Sequence, residues 1–186
     1  MRAAAAALLV VIALLAAGGG FLLGHSWSIA ESGPAPLDTQ AAPAAFKPGA
    51  KRPSFSLPDL EGRLRNVAEW DGRLLVVNFW ATWCAPCREE IPLFVRLQEQ
   101  FGDRGLQFVG IALDQPANVA PFAAEYGINY PVLVGQGEAI ELMRRFGSLY
   151  GALPFTAVVG RDGRVAYVHE GVFLPSQAKT QIIDRL

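Results

Sequence analysis

Residues 74–92 read Leu74-Leu75-Val76-Val77-Asn78-Phe79-Trp80-Ala81-Thr82-Trp83-Cys84-Ala85-Pro86-Cys87-Arg88-Glu89-Glu90-Ile91-Pro92. The nearly continuous apolar run Leu74 to Trp80 predicts a strand buried on both faces. From Cys84 to Phe101 the spacing becomes helical, with Ile91, Phe94, Val95, Leu97 and Phe101 available for a core. The two cysteines therefore fall where a buried strand turns into a helix. At a helix N-terminus, unpaired backbone N–H groups and the dipole favour a thiolate over a thiol. Two intervening residues put Cys87 one turn beyond Cys84, near enough to close a disulfide, and Pro86 suits the first turn. That arrangement points to thiol–disulfide exchange, with Cys84 as an exposed nucleophile and Cys87 as a buried resolving thiol.

Other uses of a cysteine pair fit less well. A structural zinc site needs four ligands, and the only histidines, His25 and His169, are far apart in sequence. A c-type haem site needs a histidine after the second cysteine, where this chain has Arg88. No metal site and no cofactor is expected. A purely structural disulfide stays open, although so small a loop would add little stability.

Outward from this segment, strands and helices alternate. Phe55–Leu57 and Arg63–Arg65 flank a turn and form a small hairpin. Leu106 to Leu113 is a second buried strand, Val119 to Tyr126 a short helix, and Tyr130 to Val134 a third central strand. Glu138 to Phe146 is an amphipathic helix. Phe155–Val159 and Arg164–His169 are strands joined by the hairpin turn Gly160-Arg161-Asp162-Gly163, and Pro175 to Leu186 is a final helix. The order predicts an α/β fold, a mixed sheet with helices on both faces.

The chain has 186 residues, 52 % apolar and 18 % charged, with a formal net charge of −1. No basic excess favours nucleic acid, and two cysteines cannot staple a mini-protein. Much of the apolar bias lies in residues 3–23, which contain no polar side chain and would span ~31 Å as a helix. An uncleaved anchor is the favoured reading of residues 1–24, with a cleaved secretory signal as the competitor. Either exports the remainder. Residues 25–52 are rich in Ala and Pro and read as an extended spacer, in which Trp27 and Phe46 are either lipid-interface contacts or incidental. Residues 53–186 are the folded domain.

The segment Val76 to Pro92 resembles the thioredoxin superfamily, and most of all its membrane-anchored TlpA/ResA branch of bacterial thiol–disulfide oxidoreductases. The similarity covers roughly residues 53–186. Pro92 matches the proline inside the active-site helix of that superfamily. Gly151-Ala152-Leu153-Pro154-Phe155-Thr156 matches its cis-proline loop. The resemblance implies a thioredoxin-like fold with an N-terminal hairpin and an extra α–β insertion at residues 114–134. It also implies a cis Pro154 beside the cysteines and a Leu153 backbone that pairs with an extended substrate peptide. Trp83, Ala85 and Pro86 would complete the substrate surface, and Trp80 would be either a shield for the pair or plain core. Asn78 stands where thioredoxins carry a buried aspartate, so the acceptor of the Cys87 proton is left open. Glu89 and Glu90 are expected to be solvated residues that favour the helix dipole.

The resemblance further implies a monomeric, single-pass protein of the bacterial inner membrane, its domain on the periplasmic or extracytoplasmic side. Protein disulfides would be its substrates and a transmembrane thiol reductant of the DsbD/CcdA type its electron donor. Apocytochrome c or copper-centre assembly proteins are the implied targets. Ala-Pro between the cysteines favours reduction. Two alternatives remain: a copper- or haem-delivery module that holds metal with the same thiols, and a thiol peroxidase using Thr82 and Arg88.

Overall fold

A computed structural model describes residues 46–186. The expected anchor at 3–23 and most of the expected spacer lie outside the described residues. Among the described residues, no helix is long and apolar enough to cross a membrane.

The apolar run forms strand β3 (Leu74–Trp80), every residue of which is buried. It pairs in parallel with β4 (Leu106–Ala112) on one side and antiparallel with β6 (Phe155–Val159) on the other. Strands β5 (Val132–Val134) and β7 (Val165–Glu170) complete a five-stranded mixed sheet, ordered β5-β4-β3-β6-β7. A separate hairpin, β1 (Ser56–Pro58) and β2 (Leu64–Asn66), precedes it. The helices are α1 (Ala85–Phe101), α2 (Pro116–Glu125), α3 (Gly137–Arg145) and α4 (Pro175–Gln181).

Strand alternation sorts the core into two layers. Val77 and Phe79 of β3, with Val109, Ile111 and Phe155, face Leu142 and Met143 of α3 and Trp70 near the hairpin. On the opposite face, Val76, Phe108 and Val158 meet Phe94, Leu97 and Phe101 of α1 and Ala178 of α4. At the upper end of that face Trp80 packs with Cys87 and Ile91 of α1 and with Val119 and Phe122 of α2. A helix therefore lies against each face of the sheet, and the β3–α1 junction sits at its top edge.

Three expectations are corrected. The strand at Tyr130–Val134 is short and lies at the sheet edge rather than in its centre, because it pairs with β4 only from Gly110 to Ala112. The last helix stops at Gln181 and gives way to a 3-10 turn, Ile183–Arg185. Residues 46–52, assigned to the spacer, lie against the domain. Gly49 N–H donates to Val165 O, Arg52 N–H donates to Gly163 O, and Phe46 packs on the first core layer. Gly147, at a φ of +103°, leaves the room that Phe46 fills.

Candidate active site

Strand β3 ends at Trp80, and the chain turns through Ala81, Thr82 and Trp83 before α1 begins. Cys84 is the N-cap, in extended backbone, and its N–H donates to Ala81 O at 3.1 Å. Pro86 occupies the first turn and Pro92 lies inside the helix. Cys84 and Cys87 form a disulfide with their Cα atoms 5.3 Å apart. The Leu153–Pro154 peptide is cis, at the entry to β6. Neither the N–H nor the carbonyl of Leu153 has a hydrogen-bond partner among the described residues.

A cleft of about 930 Å³ opens over the disulfide, walled by Trp83, Cys84, Ala85, Pro86, Leu113, Ile140, Ala152 and Leu153. The structure therefore brings all the expected substrate-facing residues together, Pro154 standing buried just behind Leu153. Trp83 is 68 % exposed at the rim. One expectation changes and one open alternative is decided. Cys84 is only 5 % exposed, because the cleft reaches it between Trp83 and Leu153 rather than across open surface. Trp80 is fully buried, its ring 5.0 Å from Phe122, so it is core and offers no substrate surface.

Below the disulfide, one turn along the helix, the interior holds a group of buried polar side chains. Cys87 is fully buried, and Glu90, one turn further along the same face of α1, is 1 % exposed. Expecting Glu90 to be solvated was wrong; Glu89 is exposed as expected. The helical period explains the split, since Glu90 falls on the stripe of Cys87, Ile91, Phe94 and Leu97 that faces the sheet. Asn78 Nδ2 donates to Glu90 Oε1 at 2.7 Å and to Thr156 Oγ1 at 3.1 Å, and Phe173 N–H donates to Glu90 Oε2 at 2.7 Å. Burial pushes the Glu90 carboxyl up to about 7, the two hydrogen bonds opposing it. Glu90 can therefore hold or release a proton near neutral pH.

Three polar atoms in this region are buried without a partner among the described residues: Asn78 Oδ1, Trp80 Nε1 and Tyr130 Oη. Burial, and then the nearby Glu90 charge, keeps the Tyr130 phenol protonated. Gly110, opposite Asn78 on β4, makes this room. A Cβ there would stand 2.8 Å from Trp80 Nε1 and 3.4 Å from the Tyr130 ring.

On the cleft side, the Thr82 hydroxyl donates to Asp114, and Arg88 Nη2 donates to Thr82 O at 2.7 Å. Burial works against ionising Asp114, but bonds from Thr82, Asn118 and the Gln115 N–H prevail, holding its carboxyl below the usual range. Among the described residues, no three His, Cys, Asp or Glu side chains converge as metal ligands.

The profile of the AhpC/TSA family matches residues 48–168. The chain belongs to that family. It is 28 % identical over 135 residues to the thiol-disulfide oxidoreductase ResA of Geobacillus thermodenitrificans, covering 72 % of this chain and 75 % of the relative. To the ResA of Bacillus thuringiensis it is 30 % identical over 118 residues, covering 63 % and 66 %. A solved structure of a thiol:disulfide interchange protein of the thioredoxin family from Chlorobium tepidum aligns with a TM-score of 0.66 and 32 % identity, over 76 % of this chain and 99 % of that one. The mixed sheet, its flanking helices and the hairpin are thus the thioredoxin-like fold that the sequence resembles. The AhpC/TSA-family chain is a thiol–disulfide oxidoreductase of the ResA type.

Sequence reasoning missed Asp114, Tyr130, Thr156 and Gly110, which reach the site through space from other strands and the loops beside them. The helical period could have separated Glu90 from Glu89. Tyr130 and Gly110 leave no signal of that kind, since their meeting depends on strand register.

Proposed function

We propose that this oxidoreductase is an exported, membrane-tethered reductase of protein disulfides, with Cys84 as its nucleophile and Cys87 as the resolving thiol. The reading rests above all on one observation: the disulfide joins Cys84, at an open apolar cleft, to Cys87, sealed in the interior one helical turn from the buried Glu90. In the reduced protein the Cys84 thiolate, favoured by its place at the helix N-terminus, attacks a substrate disulfide and expels one substrate thiolate. Cys87 then gives its proton to Glu90 and attacks the Cys84 sulfur. The second substrate thiolate leaves, and the enzyme keeps the disulfide. Two electrons have passed to the substrate.

Asn78 cannot titrate, but its amide can serve both states of Glu90. Nδ2 donates to the carboxylate, and after an amide flip the unpartnered Oδ1 can accept from the protonated acid. An extended substrate segment would pair with the free N–H and carbonyl of Leu153 and lie against Trp83, Ala85 and Pro86. Residues 3–23 would hold the domain at the outer face of the inner membrane. A transmembrane thiol of the DsbD/CcdA type would return the electrons, and cytochrome c maturation is the process this arrangement suits. The peroxidase alternative is disfavoured because the Thr82 hydroxyl is committed to Asp114. Against metal delivery, the chain has two cysteines and so no third thiol.

A Cys87→Ser variant tests the assignment. It is expected to accumulate mixed disulfides through Cys84 on non-reducing gels, while Cys84→Ser accumulates none. Trapping by Cys84→Ser instead would reverse the two roles.

A further inference from the structure

His169 lies part-buried on β7. Leu174 N–H donates to Gln177 Oε1 at 2.7 Å, which turns the Gln177 Nε2 toward the imidazole. That amide lies against the ring, 3.0 Å from Nδ1 and 3.4 Å from Nε2, and donates to Tyr167 Oη at 3.2 Å. A carbonyl oxygen can only accept, so the 3.1 Å contact of His169 Nε2 with Val172 O is a bond that Nε2–H donates. Val172 O and Phe173 N–H belong to one peptide unit, and Phe173 N–H donates to Glu90 Oε2 at 2.7 Å. One peptide group therefore accepts from His169 on one side and donates to the buried Glu90 on the other.

We propose that His169 is a positioning residue for Glu90, acting through the Val172–Phe173 peptide. A donor on an amide oxygen polarises the group and strengthens the bond made by its N–H. The ring also fixes the segment mechanically. It stacks on Tyr167 at 6.3 Å and meets Phe173 edge-on at 5.8 Å. Register completes the connection, since Gly110, Asn78, Thr156 and His169 are successive cross-strand partners on β4, β3, β6 and β7. The same polar row thus touches Glu90 directly at Asn78 and indirectly at His169.

The groups facing Glu90 are Asn78 and, through it, Thr156 from the sheet, the Phe173 N–H from the segment before α4, and Tyr130 from the segment before β5, with Cys87 one turn away on the same buried stripe of its own helix. Those facing His169 are Tyr167, Gln177, Phe173 and the Val172 carbonyl, with no carboxylate or cation among them. The relay thus acts on Glu90 through hydrogen bonding. Its importance to catalysis rests on the reading of Glu90 as the proton acceptor for Cys87.

The test is a carbon-13 titration of the Glu90 carboxyl in the full chain in detergent micelles. The disulfide is kept intact so that no thiol titrates, and the signal is assigned with Glu90→Gln. The wild-type midpoint is expected at about 7. His169→Phe keeps a ring against Tyr167 and Phe173 but removes the donor. It is expected to raise the midpoint by up to about half a unit, roughly a threefold gain in proton affinity. His169→Leu, which also lacks the donor, should shift it the same way, and it decides alone if His169→Phe does not fold. His169→Gln, which retains an N–H donor, should recover part of the shift, whereas Tyr167→Phe should leave the midpoint unchanged. A midpoint equal to wild type in both His169→Phe and His169→Leu overturns the relay. The turnover pH profile of Glu90→Gln is the separate arm. A profile identical to wild type there overturns Glu90 as the acceptor and leaves the relay standing.

Discussion

The two cysteines are three residues apart, yet they face different media. Cys84 meets the cleft, where Trp83 is exposed, Ile140 and Leu153 line the wall, and Leu153 keeps its backbone unpaired. Cys87 is sealed among Trp80, Ile91, Val119 and Phe122, one helical turn from Glu90, which is itself buried and bonded to Asn78. The outer side is built for contact with another chain, and the inner side for holding one proton where water cannot reach. The difference arises from helix geometry. An N-cap residue sits at the mouth of its helix, while the residue three further on lies on the face turned to the sheet.

The strongest way to break this contrast is to remove the inner acid. Glu90 titrates in the fold at about 7 instead of 4.5, so the folded state retains a proton that the unfolded chain has lost. Stability should therefore fall as pH rises from 4.5 to about 7 and level off above, a change of about 3 kcal/mol in all. In Glu90→Gln that slope should vanish, leaving the variant the more stable protein at pH values above about 7. Urea titrations of the oxidised protein across this range would measure it. An unchanged slope would mean that Glu90 is ionised in the fold.

The contrast is also sensitive to space. Gly110→Ala places a Cβ 2.8 Å from Trp80 Nε1, in backbone that alanine can adopt. Overpacking of this kind costs about 1 to 3 kcal/mol. Denaturant midpoints would give the cost, and near-ultraviolet circular dichroism would report the displaced indole. The outer side should behave in the opposite way. Trp83→Ala removes a side chain that is 68 % exposed, so stability should change by no more than about 0.5 kcal/mol. Its effect should appear in KM for a protein disulfide, raised several-fold with kcat nearly unchanged. A large loss of stability would show that Trp83 is structural.

The outer half of this picture was far more legible in the sequence than the inner half. The run Leu74–Trp80 became strand β3 with the same ends, and Cys84 took the helix cap, because apolar period and capping are local properties. The cis peptide at Pro154 and the cleft around Leu153 followed from the resemblance in that loop. Tyr130–Val134 was read as central because its residues are apolar, but apolarity does not reveal how many strands flank an element. Glu90 was grouped with its neighbour Glu89, although the two point to opposite environments one hundred degrees apart around the helix. The polar row of Asn78, Thr156 and His169 depends on the register of three strands, and no local pattern encodes that.

The central claim is that the inner side accepts the proton of the resolving thiol. It can be tested by following a single turnover of the reduced protein with a model disulfide, stopping the reaction at intervals and separating the mixed disulfide from the released product. In the wild type, the second step should accelerate with pH through a midpoint near 7. In Glu90→Gln the second step should be slower by about tenfold or more and lose that midpoint, while the first step stays at its wild-type rate. Equal second-step rates and the same midpoint in both proteins would contradict the account.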